Sequence, residues 1–572
     1  MRTAPRIAAG VAAALALFVI FFLLLPEFIN VKPMKAHVIE ALSRSAGVRV
    51  QAARIDISFI PRPSITLIGG TISGQVSGGF ESLSIYPRIL PLFRGEARIA
   101  GLDVKGPDIR VPLPEKSKIA QGVRPFSLRA LEDEVTPIVS RALIRAPGLV
   151  VSVEKGRLTL FEGNDQAFRF GDMDGRLSLR GKRAEITIAC TSNIWGRASL
   201  RGWLDPKGFK GEARLELMRF VADPVVQRLF PSMDPRLQDT LGDLTVRLRV
   251  DGADALSAEV ESRMDRSTLR KGDEILALQQ VRLKGAFRQD GGKTTISVSD
   301  FESLYPALGM SGQLALDPAS SHATADVCSR YMDVGGARKI ALFFAGRVPV
   351  LQRVFDVVRE GRISGINLSA HGDSLLTMME MTHIAGQGTL TGGRIILPES
   401  GLPIDGIKGD MVLAHGFLEG TNLAARMGES RGTKGKLRLE LGKDSGFRLD
   451  IDVNADLAQL PFYMRRLAPT SAFVREMGMV RSPRGTAEGR VIFDSLQKKP
   501  LQTIVDVPSF TLHAGYDRFP QPMDVRGGRF HYDSAGRQIA VQNLSGKAGA
   551  SSFSGLSAQL ALGQEPYLAI TS

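Results

Sequence analysis

A short block of alternating residues and turn signals recurs through the chain, and it constrains the fold more than any other feature. Ile407–Leu441 reads IKGDMVLAHGFLEGTNLAARMGESRGTKGKLRLEL. An alternating stretch runs to Ala414, turns at His415-Gly416, and returns through Leu418 and Leu423. A third stretch follows at Lys436–Leu441. Period-two alternation with turn residues between is the signature of an antiparallel meander. Met173–Leu204, Val281–Leu316 and Val525–Leu562 carry the same pattern. The spacing predicts that one glycine opens the first strand of each block and another opens the last. The pairs are Gly175/Gly202, Gly285/Gly312, Gly409/Gly435 and Gly527/Gly555, separated by 27, 27, 26 and 28 residues. The first glycines of successive blocks lie 110, 124 and 118 residues apart, a period near 120. Such self-similarity marks a repeat architecture.

Between blocks the order of parts also repeats. Helical stretches are predicted at Asp223–Phe230, Ile340–Val358 and Leu457–Met477. Each leads to a strand opened by glycine, at Gly242–Val250, Gly361–Ala370 and Gly485–Phe493. The organisation predicted is residues 1–30 as an anchor and 31–148 as an N-terminal β region with short helices. Four repeats follow at 149–220, 221–330, 331–456 and 457–572. The final YLAITS (Tyr567–Ser572) reads as a strand cut short, so the last repeat is expected to be incomplete and the chain part of a longer protein.

Ile7–Leu25 carries no charge in 19 residues. At about 1.5 Å per residue it matches the roughly 30 Å hydrocarbon core of a bilayer. No small-x-small site follows it at Pro26–Ile29, so it reads as an uncleaved anchor rather than a signal peptide. Ile7, Val11, Leu15, Phe18, Phe21 and Leu25 are its candidate lipid contacts. A short tail and a long following domain place everything after residue 30 on one side of the membrane. Pro33–Ala46 reads as a short amphipathic helix. Pro125–Arg145 reads as a second, with Leu128, Leu131, Val135, Ile138 and Leu143 near helical spacing and a kink expected at Pro137.

The net charge is +14, but the cations are dispersed and alternate with apolar residues, as in Val246-Arg247-Leu248-Arg249-Val250. That pattern predicts a solvated strand face, with at most weak attraction to anionic head groups, rather than a nucleic-acid surface. Aromatics make up 6%, too few for stacking on single-stranded bases. The seven histidines fall in no metal-binding spacing, and there is no phosphate-binding loop or nucleophile elbow. The pairs Asp172/Asp174, Asp300/Glu302 and Asp450/Asp452 share strand faces that need no catalytic role, and Asp450, Asp452 and Asp456 lack a calcium-loop spacing. Cys190 and Cys328 fit two separate small buried residues better than one disulfide. No catalytic residue, metal or cofactor is assigned.

A strand with one apolar face must bury it against something. Leu437, Leu439 and Leu441 alternate with Lys436, Arg438 and Glu440. Leu177, Leu179, Val246, Leu248, Val250, Ile296 and Val298 alternate likewise. One short helix per repeat cannot cover such a sheet. The predicted fold is therefore mainly β with a few helices, an elongated and curled antiparallel sheet behind an N-terminal transmembrane helix. Its apolar trough is lined by these ten residues and occupied by acyl chains.

Three segments carry a family resemblance. The anchor and short helix followed by GVRVQAARIDISFIPRPSITLIGGTIS, the next segment FESLSIYPRILPLFRGEARIAGLDVKGPDIRVPLP, and LPIDGIKGDMVL with its GKLRLEL resemble AsmA-family proteins over almost the whole chain. The resemblance implies a single-pass protein of the bacterial inner membrane whose bulk lies in the periplasm, similar to the eukaryotic repeating-β-groove lipid bridges. It implies movement of phospholipid towards the outer membrane, leaves room for an outer-membrane partner, and transfers no catalytic residue. The other expectation is an assembly factor for outer-membrane proteins that acts through exposed strand edges without carrying lipid.

Overall fold

The computed structural model describes residues 49–571 outside a few short stretches, the longest being 89–97, 113–127, 346–354 and 468–476. The predicted anchor Ile7–Leu25 and the helix Pro33–Ala46 lie outside the described residues. Among the described residues no helix is long and apolar enough to cross a membrane. The fold is mainly β, with thirty strands and five α-helices among the described residues. The chain divides into two units: Met1–Gly272 with Val281–Thr294, and Asp273–Gln280 with Thr295–Ser572.

The first unit opens with three antiparallel strands, Arg49–Ser58, Ser64–Ser73 and Ser77–Pro87. The next strand is broken into Ile99–Lys105 and Asp108–Pro112, both hydrogen-bonded to Ser77–Pro87. The break falls at Gly106-Pro107. Gly106 has φ +56°, and proline has no N–H to give to a ladder. Both halves pair on their other side with Val150–Glu162, and that pairing is parallel. The antiparallel sheet expected from the sequence holds this parallel pairing as well. A parallel partner requires a crossover connection, and the helix Leu128–Arg145 supplies it. Of the apolar positions expected to bury one face of that helix, Leu128 is buried, but Leu131 and Ile138 are 38% and 62% exposed. From Val150–Glu162 onward each strand pairs antiparallel with the next through Ala255–Lys271.

The second unit is a longer antiparallel meander. The predicted turn at His415-Gly416 joins the strands Pro403–Ala414 and Phe417–Met427. Both turn residues have positive φ, +50° and +78°, as a two-residue hairpin with the right-handed twist of its strands requires. Ser430–Glu440 and Phe447–Asp456 continue the ladder. The three helices expected between blocks are present, at Asp223–Leu229, Val334–Ala345 and Leu460–Leu467; the second begins before the expected Ile340 and the third after the expected Leu457.

The paired glycines do not open strands. Seven of the eight lie inside them, and Gly527 falls between Phe519–Arg526 and Arg529–Asp533. Close approach explains two of these positions. A Cβ at Gly202 would meet the Glu212 carbonyl oxygen at 2.8 Å, and one at Gly435 would meet the Leu423 Cβ at 2.8 Å. These glycines admit a neighbour into the sheet face rather than starting a strand.

Fully closed cores are small. Val50, Leu67, Phe80 and Ile85 form one in the first unit. In the second unit, Val334 packs with Leu390 and Ile407, and Leu457 with Ala487 and Val507.

One stabilising contact is acid-labile. Arg490 Nε donates to Asp450 Oδ1 at 2.7 Å, and this bond holds the Asp450 carboxyl below the usual aspartate range. A carboxyl depressed in the folded state adds stability above its unfolded pKa and loses it as pH falls through its folded one. Asp450→Asn is therefore expected to flatten the loss of stability of Phe447–Asp456 as pH falls into the acidic range, read as amide protection of that strand relative to the native chain at each pH. A variant whose protection falls as steeply as the native chain's would show that the pair contributes nothing.

Candidate functional site: an apolar sheet face

Register partners in a sheet point to the same face, so the pairing pattern sorts every strand residue onto one side or the other. In the first unit one cross-strand row runs Ile55, Leu67, Leu83, Val104, Val153, Gly175, Ile188, Leu200, Leu215, Val246, Val260, each the register partner of the next. A second row runs beside it through Ile85, Leu102, Val151, Leu177, Ile186, Gly202, Ala213 and Leu248. A third holds Leu179, Ala184, Leu204, Gly211, Val250 and Leu256. No charged side chain enters any of the three.

The second unit repeats the arrangement. Gly312, Val327, Leu368, Gly386, Leu413, Leu418, Leu439 and Phe447 make one row. Gly388, Met411, Gly420, Leu437, Leu449 and Phe493 make the next. Ile451, Val491, Val505, Tyr532, Ile539 and Leu560 carry an apolar row onward.

The opposite face is charged. Arg438 lies 3.6 Å from Glu419 and stacks 4.4 Å over the Phe417 ring. Arg448 meets Asp494 at 3.1 Å, and Arg529 meets Asp506 at 3.1 Å. In the first unit Lys210 meets Asp251 at 2.7 Å and Arg247 meets Glu259 at 3.3 Å. The Lys210 ammonium holds the Asp251 carboxyl below its usual range. Exposed pairs of this kind add little stability, because water and salt screen them. Their effect is to keep that side of the sheet in water.

Beyond the closed core that holds Leu67 and Ile85, most members of the apolar rows are half-buried. Leu177, Val246, Val250, Val298, Leu437, Leu439 and Leu441 are half-buried. Leu248 is 39% exposed and Ile296 42%. Leu179 departs from the expectation, because it is 3% exposed and belongs to the core. The chain leaving the helix Leu128–Arg145 lies along it, with the Leu179 N–H donating to Leu149 and its carbonyl accepting from Gly148. The pairing joins Leu177, Val246, Leu248 and Val250 in adjacent rows, and Leu437 with Leu439 likewise. Row members such as Ile188, Leu200, Leu215, Met411, Phe447 and Leu449 were not singled out in the sequence. They share its alternation, but membership of a row depends on register.

The polar candidates have separate partners. Asp450 bonds Arg490, Asp452 lies 3.5 Å from Lys434, and Asp456 accepts from the Ala458 N–H. Asp174 accepts from the Lys155 N–H, and Asp300 meets Arg330 at 3.4 Å. Among the described residues no three metal-ligating side chains cluster. Cys190 and Cys328 are both free thiols. Cys190 is half-buried, which pushes its thiol pKa up, while Cys328 is exposed rather than buried as expected.

No family model, no curated protein and no solved structure matches the chain.

Proposed function

We propose that this protein shields acyl chains on its apolar sheet faces. It carries phospholipid between the inner and outer membranes of a bacterial envelope, with Ile7–Leu25 as its inner-membrane anchor and the apolar rows as the lining of an open groove. One observation carries the reading. Apolar rows cross strand after strand without a charge, stay half-exposed, and are backed by a face of ion pairs. Moving one CH₂ group from hydrocarbon to water costs about 0.8 kcal/mol, so a two-chain lipid faces a penalty of tens of kcal/mol outside a bilayer. An apolar face of this extent offsets most of that penalty and needs no side-chain chemistry.

Photo-crosslinking residues placed singly in the full chain test the reading directly. At Leu437, Leu439 or Leu441 the label is expected on phospholipid, identified by mass spectrometry. At Arg438, one residue away on the charged face, it is expected on none. Equal labelling on both faces, or none on either, would sink the proposal.

A further inference from the structure

A pocket beside the helix Val334–Ala345 gathers cations from distant parts of the second unit. Tyr305, Asp333, Arg338, Lys339 and Arg359 line it. Lys339 projects over the Tyr305 ring, 4.8 Å from its centroid, and donates to the phenol oxygen. The Arg359 Nε is buried and has no hydrogen-bond partner among the described residues. Asp333 is the opposing carboxylate, and its Oδ2 already accepts from the Gly336 N–H at 2.8 Å. Among the described residues the Arg359 Nε and the Lys339 ammonium thus border one carboxylate, and that carboxylate is already engaged. A buried guanidinium N–H without an acceptor is costly, and a phosphate oxygen is the acceptor whose geometry suits a guanidinium fork.

The pocket also borders the apolar face. Val334 and Val358, which immediately precede Gly335 and Arg359, pack with Leu390, Ile407 and Met411. Met411 shares its row with Leu437. One end of a bound molecule would meet cations and the other end would meet hydrocarbon.

We propose that this pocket binds a phosphate group, the head group of a lipid whose chains lie on the adjoining apolar face. The inference rests on the lipid-carrying reading above, and the test separates the two. The full chain in detergent is titrated with dioctanoyl phosphatidate, with dioctanoylglycerol and with inorganic phosphate, followed by native mass spectrometry. Phosphatidate is expected to bind about tenfold tighter than dioctanoylglycerol. Arg359→Ala is expected to remove that preference while leaving dioctanoylglycerol binding unchanged, and Arg359→Lys to restore part of it. Lys339 is exposed, so Lys339→Ala gives the same readout without disturbing a buried position. Saturable binding of inorganic phosphate with no preference between the lipids would assign the pocket to the free anion and overturn the lipid head group. Equal binding of the two lipids with no phosphate binding would overturn the site and leave the groove standing. Retention of neither lipid would overturn both.

Discussion

Aspartate at both Leu437 and Leu439 is expected to stop lipid transfer between donor and acceptor vesicles, lowering its rate by at least about tenfold. The two leucines occupy adjacent apolar rows, with Gly420 and Leu449 beside one and Leu418 and Phe447 beside the other. A carboxylate there is short and cannot reach water along its own stem, unlike a lysine or arginine. An acyl chain crossing it would force an unpaired charge out of water, at a cost of several kcal/mol, while about 1.4 kcal/mol already accounts for a factor of ten in rate. The matched control is aspartate at Lys436 and Arg438, in the same strand but facing the ion pairs. That variant changes the net charge further and is expected to transfer lipid at close to the native rate. Equal loss in both doubles would trace the effect to charge or unfolding, and the face assignment would fail.

The sidedness of this strand is legible in the sequence because strand periodicity is two, and Leu437/Leu439 against Lys436/Arg438 leaves one way to fold it. The hairpin at His415-Gly416 is legible for a similar reason, since both residues tolerate the positive φ they adopt. What could not be read is anything that depends on register. The glycine pairs mark a spacing, but whether a glycine starts a strand or admits a neighbour across it depends on which residue the pairing brings opposite. The parallel pairing of Val150–Glu162 was hidden because it depends on which strand the chain returns to after the helix Leu128–Arg145, and alternation does not record that. The cation pocket was hidden for a further reason. Tyr305, Lys339 and Arg359 are each unremarkable in their own segments, and only the fold brings them together.

The same register logic separates residues that hold the fold from residues that meet a ligand, and Leu67 gives the sharpest test. It sits in the long row of the first unit between Ile55 and Leu83. It is 0% exposed, closed over by a cluster that includes Val50, Phe80 and Ile85. Leu200 stands in the same row, six positions along, and is half-buried. A groove lined by one continuous row therefore begins as core and becomes surface. Leu67→Ala is expected to cost about 3 kcal/mol, because it removes buried methyl groups and leaves a cavity that its neighbours fill only in part. A chain of this size need not unfold in one step, so the measurement is amide exchange in Arg49–Ser58, Ser64–Ser73 and Ser77–Pro87. Exchange through unfolding of these strands should accelerate about a hundredfold. Leu200→Ala should change exchange in its own strand, Trp195–Asp205, by far less, because its side chain already meets solvent or a ligand on one side. If Leu67→Ala left exchange unchanged, or if Leu200→Ala matched it, the division of this row into core and lining would be wrong. The half-exposed leucines would then be ordinary packing rather than a surface kept open for lipid.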